Sequence, residues 1–559
     1  MKEGFLLDVC DLKVNFSADH QVLTVVDTIS FHLNESETLA VVGESGSGKT
    51  VTALALLRLI PTPPGNIAGG SVSFRDRQGN VTDLLKIKEK DFEKIRGFSI
   101  SMIFQEPMTS LNPVFTCGDQ VAEILNIHTS LTKAQAWKKV VELFGEVLLP
   151  RPEVIAKSYP HQLSGGQRQR VMIAMAMACN PQILIADEPT TALDVTVQKS
   201  ILELMKHLQR TRKMSILFIT HDLGIVKGFA DRVLVMNKGV VVETGRVDEI
   251  FNNPQHPYTR GLLACRPPLD RRLVRLPTIE HFVESGMNIR QEEITSAQRA
   301  GIHHRLYMQE PVLKVENLTK QFEGFTALQS TSFLVYPGET LGIVGESGSG
   351  KTTLARVVLE LIPATAGRIL YRDRDITRLT RGQLKGMRKD LQIIFQDPYS
   401  SLNPRFSIGA AILEPMKVHR LHGNDANRRE KVMELLQKVG LKPEHFNRYP
   451  HEFSGGQRQR VCIARALAVE PRLIICDESV SALDVSIQAQ VLNLLNDLKR
   501  DFGLTYIFIS HDLSVVKYMS DRLIVMKSGT IAEMGEADEV YANPGSEYTK
   551  MLLAAIPGR

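Results

Sequence analysis

Two identical runs, GESGSGKT at 43–50 and again at 345–352, hold the residue types that grip a phosphate chain. Glycines let successive backbone N–H groups turn inward around an anion, and a following helix N-terminus adds positive potential. Each run fits G-x-x-x-x-G-K-[ST]. Each follows a short apolar stretch (LAVV, LGIV) and precedes a helix-forming one (VTALALLRL, TLARVVLEL), which is the setting this motif needs. The expected cradle is Gly43, Glu44, Ser45, Gly46, Ser47 and Gly48 in one run, and Gly345, Glu346, Ser347, Gly348, Ser349 and Gly350 in the other. Lys49 and Lys351 are expected to reach β- and γ-phosphates, and Thr50 and Thr352 to offer hydroxyls to Mg²⁺.

Further polar residues follow apolar runs in the same way. Asp187 and Asp477 end ILIAD and LIICD, where a carboxylate can orient Mg²⁺. Glu188 and Glu478 come next and are placed to polarise an attacking water. His221 and His511 follow ILFIT and YIFIS and are read as γ-phosphate contacts, because they recur at matching places. Gln105 and Gln396 follow MIF and IIF and can bind Mg²⁺ or the attacking water. LSGGQRQR and FSGGQRQR open amphipathic helices. Ser164, Gly165, Gly166 and Gln167, with Ser454, Gly455, Gly456 and Gln457, would make a second anion site per half. Each half already has its own glycine loop, so this second site is expected to serve the nucleotide of the other half.

The elements that must position these groups repeat as a set. The offset between copies is 302 residues at the glycine loop, 291 at Gln105 and Gln396, and 290 from Ser164 onward to Tyr258 and Tyr548. About eleven extra residues therefore lie between loop and glutamine in the first copy, with PTPPGNIAGG (61–70) and RQGN (77–80) as the expected sites. Short aliphatic runs bounded by polar loops suit central parallel strands buried on both faces, so each copy reads as α/β. Active residues then gather at the carboxyl ends of the strands. The expected organisation is one domain over 1–265, a linker over 266–310 with little core of its own or a small helical subdomain, and a second domain over 311–559.

Composition narrows the class. A net charge of +5 over 559 residues is too dilute to argue for nucleic acid. The six cysteines form no C-x-x-C or cluster, which suits a reducing compartment and no thiolate metal site. The N-terminal MKEGFLLDVCDLKV lacks the apolar core of a signal peptide, and no apolar run reaches the roughly 18 residues a membrane span needs. A soluble protein, or one bound to membranes through something else, is expected.

Taken together, the glycine loop, strand-end glutamine, SGGQ, carboxylate pair, TALD/SALD and strand-end histidine resemble the ATP-binding cassette (ABC) ATPases over roughly 1–265 and 311–559. The resemblance implies two tandem P-loop NTPase domains. Each would have a RecA-like α/β core, an antiparallel β subdomain and a helical subdomain between Gln105 and Ser164 that touches membrane subunits. It implies ATP and Mg²⁺ as ligands, Phe16 and Phe322 as the aromatics that stack on adenine, and Asp194 and Asp484 in the D-loops. Such ATPases close head to tail, so the chain is expected to form its ATP sandwich internally. Lys49, Glu188 and His221 would face Ser454 and Gly456, and Lys351, Glu478 and His511 would face Ser164 and Gly166.

QEPMTSLNP, GNIAGGSV, DEPTTALDVTVQ, SALDVSIQAQ and the tail NPQHPYTRGLL resemble the dipeptide/oligopeptide importer ATPases, the first half the D-type subunit and the second the F-type. That resemblance implies two permease partners, a substrate-binding protein and a place on the cytoplasmic face of the inner membrane. Some relatives carry an iron–sulfur cluster after the first cassette. Here only Cys265 lies in that region, so none is expected. Ser36 stands where the family has the glycine of a GE turn, which Gly338 keeps, and Ser479 replaces the proline of DEP. Both ATP sites are expected to hydrolyse, unequally if these departures matter. A soluble twin-cassette factor acting on ribosomes or DNA is the alternative. The 266–310 stretch, with seven Lys/Arg against six Asp/Glu, offers no basic arm for it. An exporter motor is weaker still.

Overall fold

The computed structural model describes residues 4–18, 21–105, 110–191, 193–285, 291–377, 379–481 and 483–556. Glu106–Thr109 of QEPMTSLNP, and the alanines of TALD and SALD, lie outside them. Contacts divide the chain into two compact units. The first runs to Leu263, and Ala264–His281 already belongs to the second.

In the first unit, ten strands form two sheets. They are β1 (Phe5–Ala18), β2 (Gln21–Asn34), β3 (Thr38–Val42), β4 (Gly65–Arg75), β5 (Val81–Asp83), β6 (Ile100–Ile103), β7 (Ile183–Asp187), β8 (Ser215–Thr220), β9 (Arg232–Asn237) and β10 (Val240–Arg246). The antiparallel sheet has the order β2-β1-β4-β5, and the larger sheet β10-β9-β3-β8-β7-β6. Within the larger sheet β6, β7, β8, β3 and β9 run parallel, and β10 turns back at the edge. All residues of β3, β6, β7 and β8 are buried, as near-continuous apolar runs between two covered faces require. Helices Cys117–His128, Lys133–Glu146 and Gly165–Met177 share a separate apolar core around Val121, Val140, Leu143 and Phe144.

Register brings the polar strand ends together. Val42 pairs with Thr220, Asp187 with Ile219, and Ile103 with Ala186. The residues just beyond these pairs are Gly43, His221, Glu188 and Gln105, so four motifs far apart in sequence leave the sheet along one edge.

The second unit repeats this plan. Its strands are β11 (Leu313–Phe322), β12 (Phe325–Val335), β13 (Thr340–Val344), β14 (Ala366–Tyr371), β15 (Arg374–Asp375), β16 (Leu391–Ile394), β17 (Leu473–Asp477), β18 (Thr505–Ile509), β19 (Arg522–Lys527) and β20 (Thr530–Glu536). The sheets have the orders β12-β11-β14-β15 and β16-β17-β18-β13-β19-β20. Where β14 has 6 residues, β4 has 11, so part of the extra length in the first copy goes into a longer strand after Pro61–Pro64. Ser36 sits at φ 56° where Gly338 sits at φ 75°. The turn thus demands a left-handed backbone, and serine bears a strain there that glycine avoids.

The stretch from 266 to 310 has more structure than a linker with little core. It carries helices Ile279–Ser285 and Ser296–Tyr307, and Leu273, Leu276 and Ile279 are buried. Asn493 grips its backbone twice, accepting from Leu276 N at 2.9 Å and donating to Leu276 O at 2.8 Å. Arg272 donates to Tyr518 O (3.0 Å) and Asp538 (2.9 Å). Arg299 donates to Glu536 (2.7 Å) and to the carbonyls of Ser520 (2.9 Å) and Asp521 (3.1 Å). Positions 290 residues earlier hold Glu203 in place of Asn493, His207 in place of Asp497 and Arg246 in place of Glu536. The strap therefore matches the second cassette and not the first.

This clasp should be a stability element. Arg299→Ala removes the buried cation shared by the Glu536, Asp538 and Asp521 carboxylates, and should destabilise the second cassette by about 3 kcal/mol in denaturant unfolding. Arg275→Ala removes an exposed pair with Asp497 and should cost under about 1 kcal/mol. Equal effects would refute the assignment. Burial works against the charge of Asp521, but Lys499, His303, the Thr340 N–H and Arg299 outweigh it and hold the carboxyl far below its ordinary 3.8. Its contribution is therefore present above pH 3.8 and is lost as pH falls from there toward the folded value.

Candidate functional site

Each glycine loop is tight at its first and last glycines, where the surroundings leave no room for a side chain. A Cβ on Gly43 (φ 154°) would lie 2.2 Å from Met236 O, and one on Gly48 (φ 97°) 2.9 Å from Val25 O. The corresponding distances are 2.3 Å at Gly345, to Met526 O, and 2.7 Å at Gly350, to Ala327 O. Ser47 N–H donates to Glu44 O at 3.1 Å, and Ser349 N–H to Glu346 O at 3.1 Å, which closes the turn through Ser45 and Gly46, or Ser347 and Gly348. Lys49 is buried at 5% exposure, and its Nζ donates to Gly43 O and Glu44 O, both at 2.8 Å. Lys351 does the same with Gly345 O (2.7 Å) and Glu346 O (2.9 Å). The ammonium thus rests on the loop's own carbonyls, at the place where phosphate oxygens could take over.

Thr50 donates to Asp187 at 3.2 Å, and Thr352 to Asp477 at 3.2 Å. The next carboxylate collects the remaining candidates. Glu188 accepts from Gln105 Nε2 at 3.0 Å and from the Thr191 hydroxyl at 2.9 Å, and meets His221 Nδ1 at 2.9 Å. Glu478 accepts from Gln396 Nε2 at 2.8 Å and meets His511 Nδ1 at 3.3 Å. Both glutamates hold a left-handed backbone, φ 47° and 49°, a strained conformation that needs a surrounding structure to impose it. Their N–H groups are pinned to Ile219 O and Ile509 O, each at 2.9 Å.

The paired acids are driven apart electrostatically. Burial, and then the neighbouring Glu188 charge, raise Asp187 to about 6 against the help of Thr50 and Lys49. Burial also opposes ionisation of Glu188, but His221 and Thr191 outweigh it and pull the carboxyl down to about 2. Asp477 is raised and Glu478 lowered for the same reasons, except that no threonine assists Glu478. Burial would lower His511, but Glu478 raises it above its ordinary value. Each site therefore sets an ionised glutamate beside an aspartate that a cation would help to ionise. Thr50, Gln105 and Asp187, and likewise Thr352, Gln396 and Asp477, form an all-oxygen donor set of the kind Mg²⁺ takes together with water and phosphate. The residues present fit that ion.

Ser164 and Ser454 cap their helices. Their hydroxyls accept from the N–H of Gln167 and Gln457, both at 3.3 Å, and those glutamines reach back to the serine N–H at 3.0 and 3.1 Å. A Cβ on Gly166 would meet Val197 at 2.7 Å and one on Gly456 would meet Ile487 at 2.3 Å, so these glycines let each SGGQ helix lie close against the next. Gly165 and Gly455 are more open, with Leu193 and Leu483 at 3.7 and 3.9 Å from a built Cβ. Phe16 and Phe322 stand in different settings. Phe16 packs partly against the core beside Gly65, whereas Phe322 is 47% exposed under Lys320 Nζ at 4.9 Å.

Sequence reasoning missed two partners of the loops. The buried Tyr258 accepts from Glu44 N–H at 3.1 Å, and Tyr548 from Glu346 N–H at 3.2 Å. The signal that could have found them was the 290-residue spacing of these tyrosines within the matching tails NPQHPYTRGLL and NPGSEYTKMLL.

The sequence is similar to known proteins over nearly its whole length. The ABC transporter family matches residues 26–191 and 328–481, and the oligopeptide/dipeptide transporter C-terminal region matches 242–291. Glutathione import ATP-binding protein GsiA of Shigella dysenteriae serotype 1 (strain Sd197) is 49% identical, covering 99% of this chain and 90% of that protein. Its namesake from Escherichia coli (strain K12) is 48% identical over the same shares. Among solved structures, the dimeric post-hydrolysis state of the ATP-binding cassette MJ0796 bound to ADP and Pi has 29% identity and a TM-score of 0.38, covering 40% of this chain and 98% of that one. These matches give no support to a factor acting on ribosomes or DNA. The chain carries two cassettes in one polypeptide, hydrolyses ATP, and belongs to the ABC transporter family as an ATP-binding protein of the oligopeptide/dipeptide importer type.

Proposed function

We propose that this chain is the twin ATPase subunit of an importer for small peptides, glutathione foremost. It would drive two separate membrane permeases fed by a substrate-binding protein, from the cytoplasmic face of the inner membrane. The observation that carries the reading is that both halves keep the glycine loop, the carboxylate pair and the strand-end histidine and glutamine in bonding contact. Full-length relatives named for glutathione import support the cargo. Among the described residues no helix is long and apolar enough to cross a membrane, which fits transport through other chains. The two halves would stand for D-type and F-type subunits joined in one chain, with 1–265 and 311–559 as the catalytic domains.

In the mechanism we propose, loop N–H groups take the phosphates and Lys49 or Lys351 turns from its carbonyls to phosphate oxygens. Phe16 and Phe322 lie at the adenine end. Mg²⁺, when bound by Thr50, Gln105 and Asp187 or their counterparts, supplies charge neutralisation to the phosphates. Glu188 and Glu478 orient and polarise the attacking water, His221 and His511 hold the glutamate and sense the γ-phosphate, and Gln105 and Gln396 report its presence to the helical subdomain. Ser164–Gln167 and Ser454–Gln457 would complete the nucleotide site of the opposite half through the positive potential of their helix N-termini.

The test is uptake. Cells lacking this chain should lose import of labelled glutathione at micromolar concentration and regain it with the chain expressed alongside its permeases. The purified protein should sediment with membranes only when those permeases are present. Binding to protein-free liposomes, or unchanged glutathione uptake, would count against the reading.

A further inference from the structure

We propose that Tyr258 and Tyr548 are positioning residues that fix the first peptide of each phosphate loop and so keep the loop ready for nucleotide. The inference rests on the reading that GESGSGKT carries the ATP phosphates, and it adds a role for a motif which that reading leaves unused.

The geometry is built twice. After the last strand of each cassette, a carboxylate on that strand hooks the returning chain. Glu243 accepts from the N–H of Gln255 at 2.7 Å and of His256 at 3.1 Å. Glu533 accepts from Gly545 at 2.7 Å and Ser546 at 3.0 Å. The helix that follows is capped differently in the two copies. His256 Nδ1 accepts from Tyr258 N–H at 3.2 Å, and Ser546 Oγ accepts from Tyr548 N–H at 3.2 Å. Two different sequences, QHPYT and GSEYT, thus deliver the same phenol to the same place. The side chains are 1% and 6% exposed.

The contacted N–H is informative. Glu44 N–H belongs to the Gly43–Glu44 peptide, whose other end, Gly43 O, accepts from Lys49 Nζ at 2.8 Å. The Glu346 N–H held by Tyr548 shares its peptide with Gly345 O, which accepts from Lys351 at 2.7 Å. One rigid peptide plane is therefore held by tyrosine at one end and by the loop lysine at the other. When the lysine moves to phosphate, the tyrosine hydroxyl still anchors the plane. Without it the plane is free to rotate and only a fraction of loops is set to bind, which raises the apparent dissociation constant in inverse proportion to that fraction.

The experiment uses the full chain carrying Tyr258→Phe and Tyr548→Phe together, which keeps both rings and removes both hydroxyls. The expected result is a KM for ATP raised about 5- to 10-fold, with kcat changed less than about twofold. Equilibrium binding of a non-hydrolysable ATP analogue should weaken by the same factor, and the Glu44 and Glu346 amides should exchange hydrogen faster. A role limited to packing would instead lower melting temperature and active fraction, so that kcat falls and KM stays. An unchanged KM overturns the proposal whether kcat holds or falls. Lys49→Ala with Lys351→Ala separates the two levels: if that variant binds ATP normally, the phosphate-loop reading itself has failed. If only the tyrosine variant is silent, the positioning role alone is lost.

Discussion

Replacing Glu188 and Glu478 by glutamine together should lower ATP turnover by about 10²- to 10⁴-fold while ATP still binds. Glutamine keeps the size of the side chain and one of the two oxygens that Gln105, Thr191 and His221 contact in the first site. It loses the charge that can draw a proton from water. The single variants test whether the sites are equal. Glu188 has the Thr191 hydroxyl at 2.9 Å, while the corresponding Ser481 hydroxyl donates to the Glu478 backbone carbonyl at 2.9 Å and leaves the carboxylate to Gln396 and His511. The second glutamate is therefore less restrained. A phosphate-release assay at saturating ATP, with filter binding of labelled ATP alongside, decides the matter. Parent-like turnover in the double variant would remove both glutamates from the mechanism.

Much of this site is legible in the sequence itself. The glycine loops, the carboxylate pairs and the strand-end histidines each follow an unbroken aliphatic run, and a parallel strand buried on both faces is what such a run builds. Register then carries Gly43, His221, Glu188 and Gln105 to one edge, and the contact of Gln105 with Glu188, 83 residues apart, follows from β6 lying beside β7. The strap at 266–310 was harder to see because its polar sequence resembles a solvated linker. Its anchors are Arg272, Arg299 and the Leu276 backbone, whose partners, Tyr518 and Asp538, Glu536, and Asn493, lie more than 200 residues away. Mixed charge alone does not say whether an arginine faces water or a buried carboxylate. The tyrosine anchors were hidden for another reason. A phenol that serves a backbone N–H leaves no complementary residue in the sequence to pair it with. Phe16 and Phe322 were equated by position, yet one packs beside Gly65 and the other stands exposed, because the longer β4 pairs Gly65 with Phe16 while β14 begins at Ala366, opposite Thr319.

The largest effect on binding should come from the loop lysines. Lys49 and Lys351 are each 5% exposed and held by two carbonyls, so their ammonium groups are desolvated before ATP arrives. A desolvated cation gains more from an incoming phosphate than a hydrated surface lysine does, since much of the cost of stripping its water has already been met in folding. Lys49→Ala should reduce ATP bound at saturation in equilibrium dialysis from about two per chain to about one, and adding Lys351→Ala should bring it close to zero, with affinity down at least about 100-fold at each altered loop. Turnover gives a sharper reading than stoichiometry. If each nucleotide site worked alone, a single lysine variant would keep about half the parent activity. If the SGGQ helix of each half completes the site of the other, closure needs both nucleotides, and one lost lysine should bring turnover well below one tenth. Half-activity with one ATP bound would show the cassettes to be independent and would end the head-to-tail proposal. Loss of nearly all turnover with one ATP still bound is the result that joining two cassettes in one chain leads us to expect.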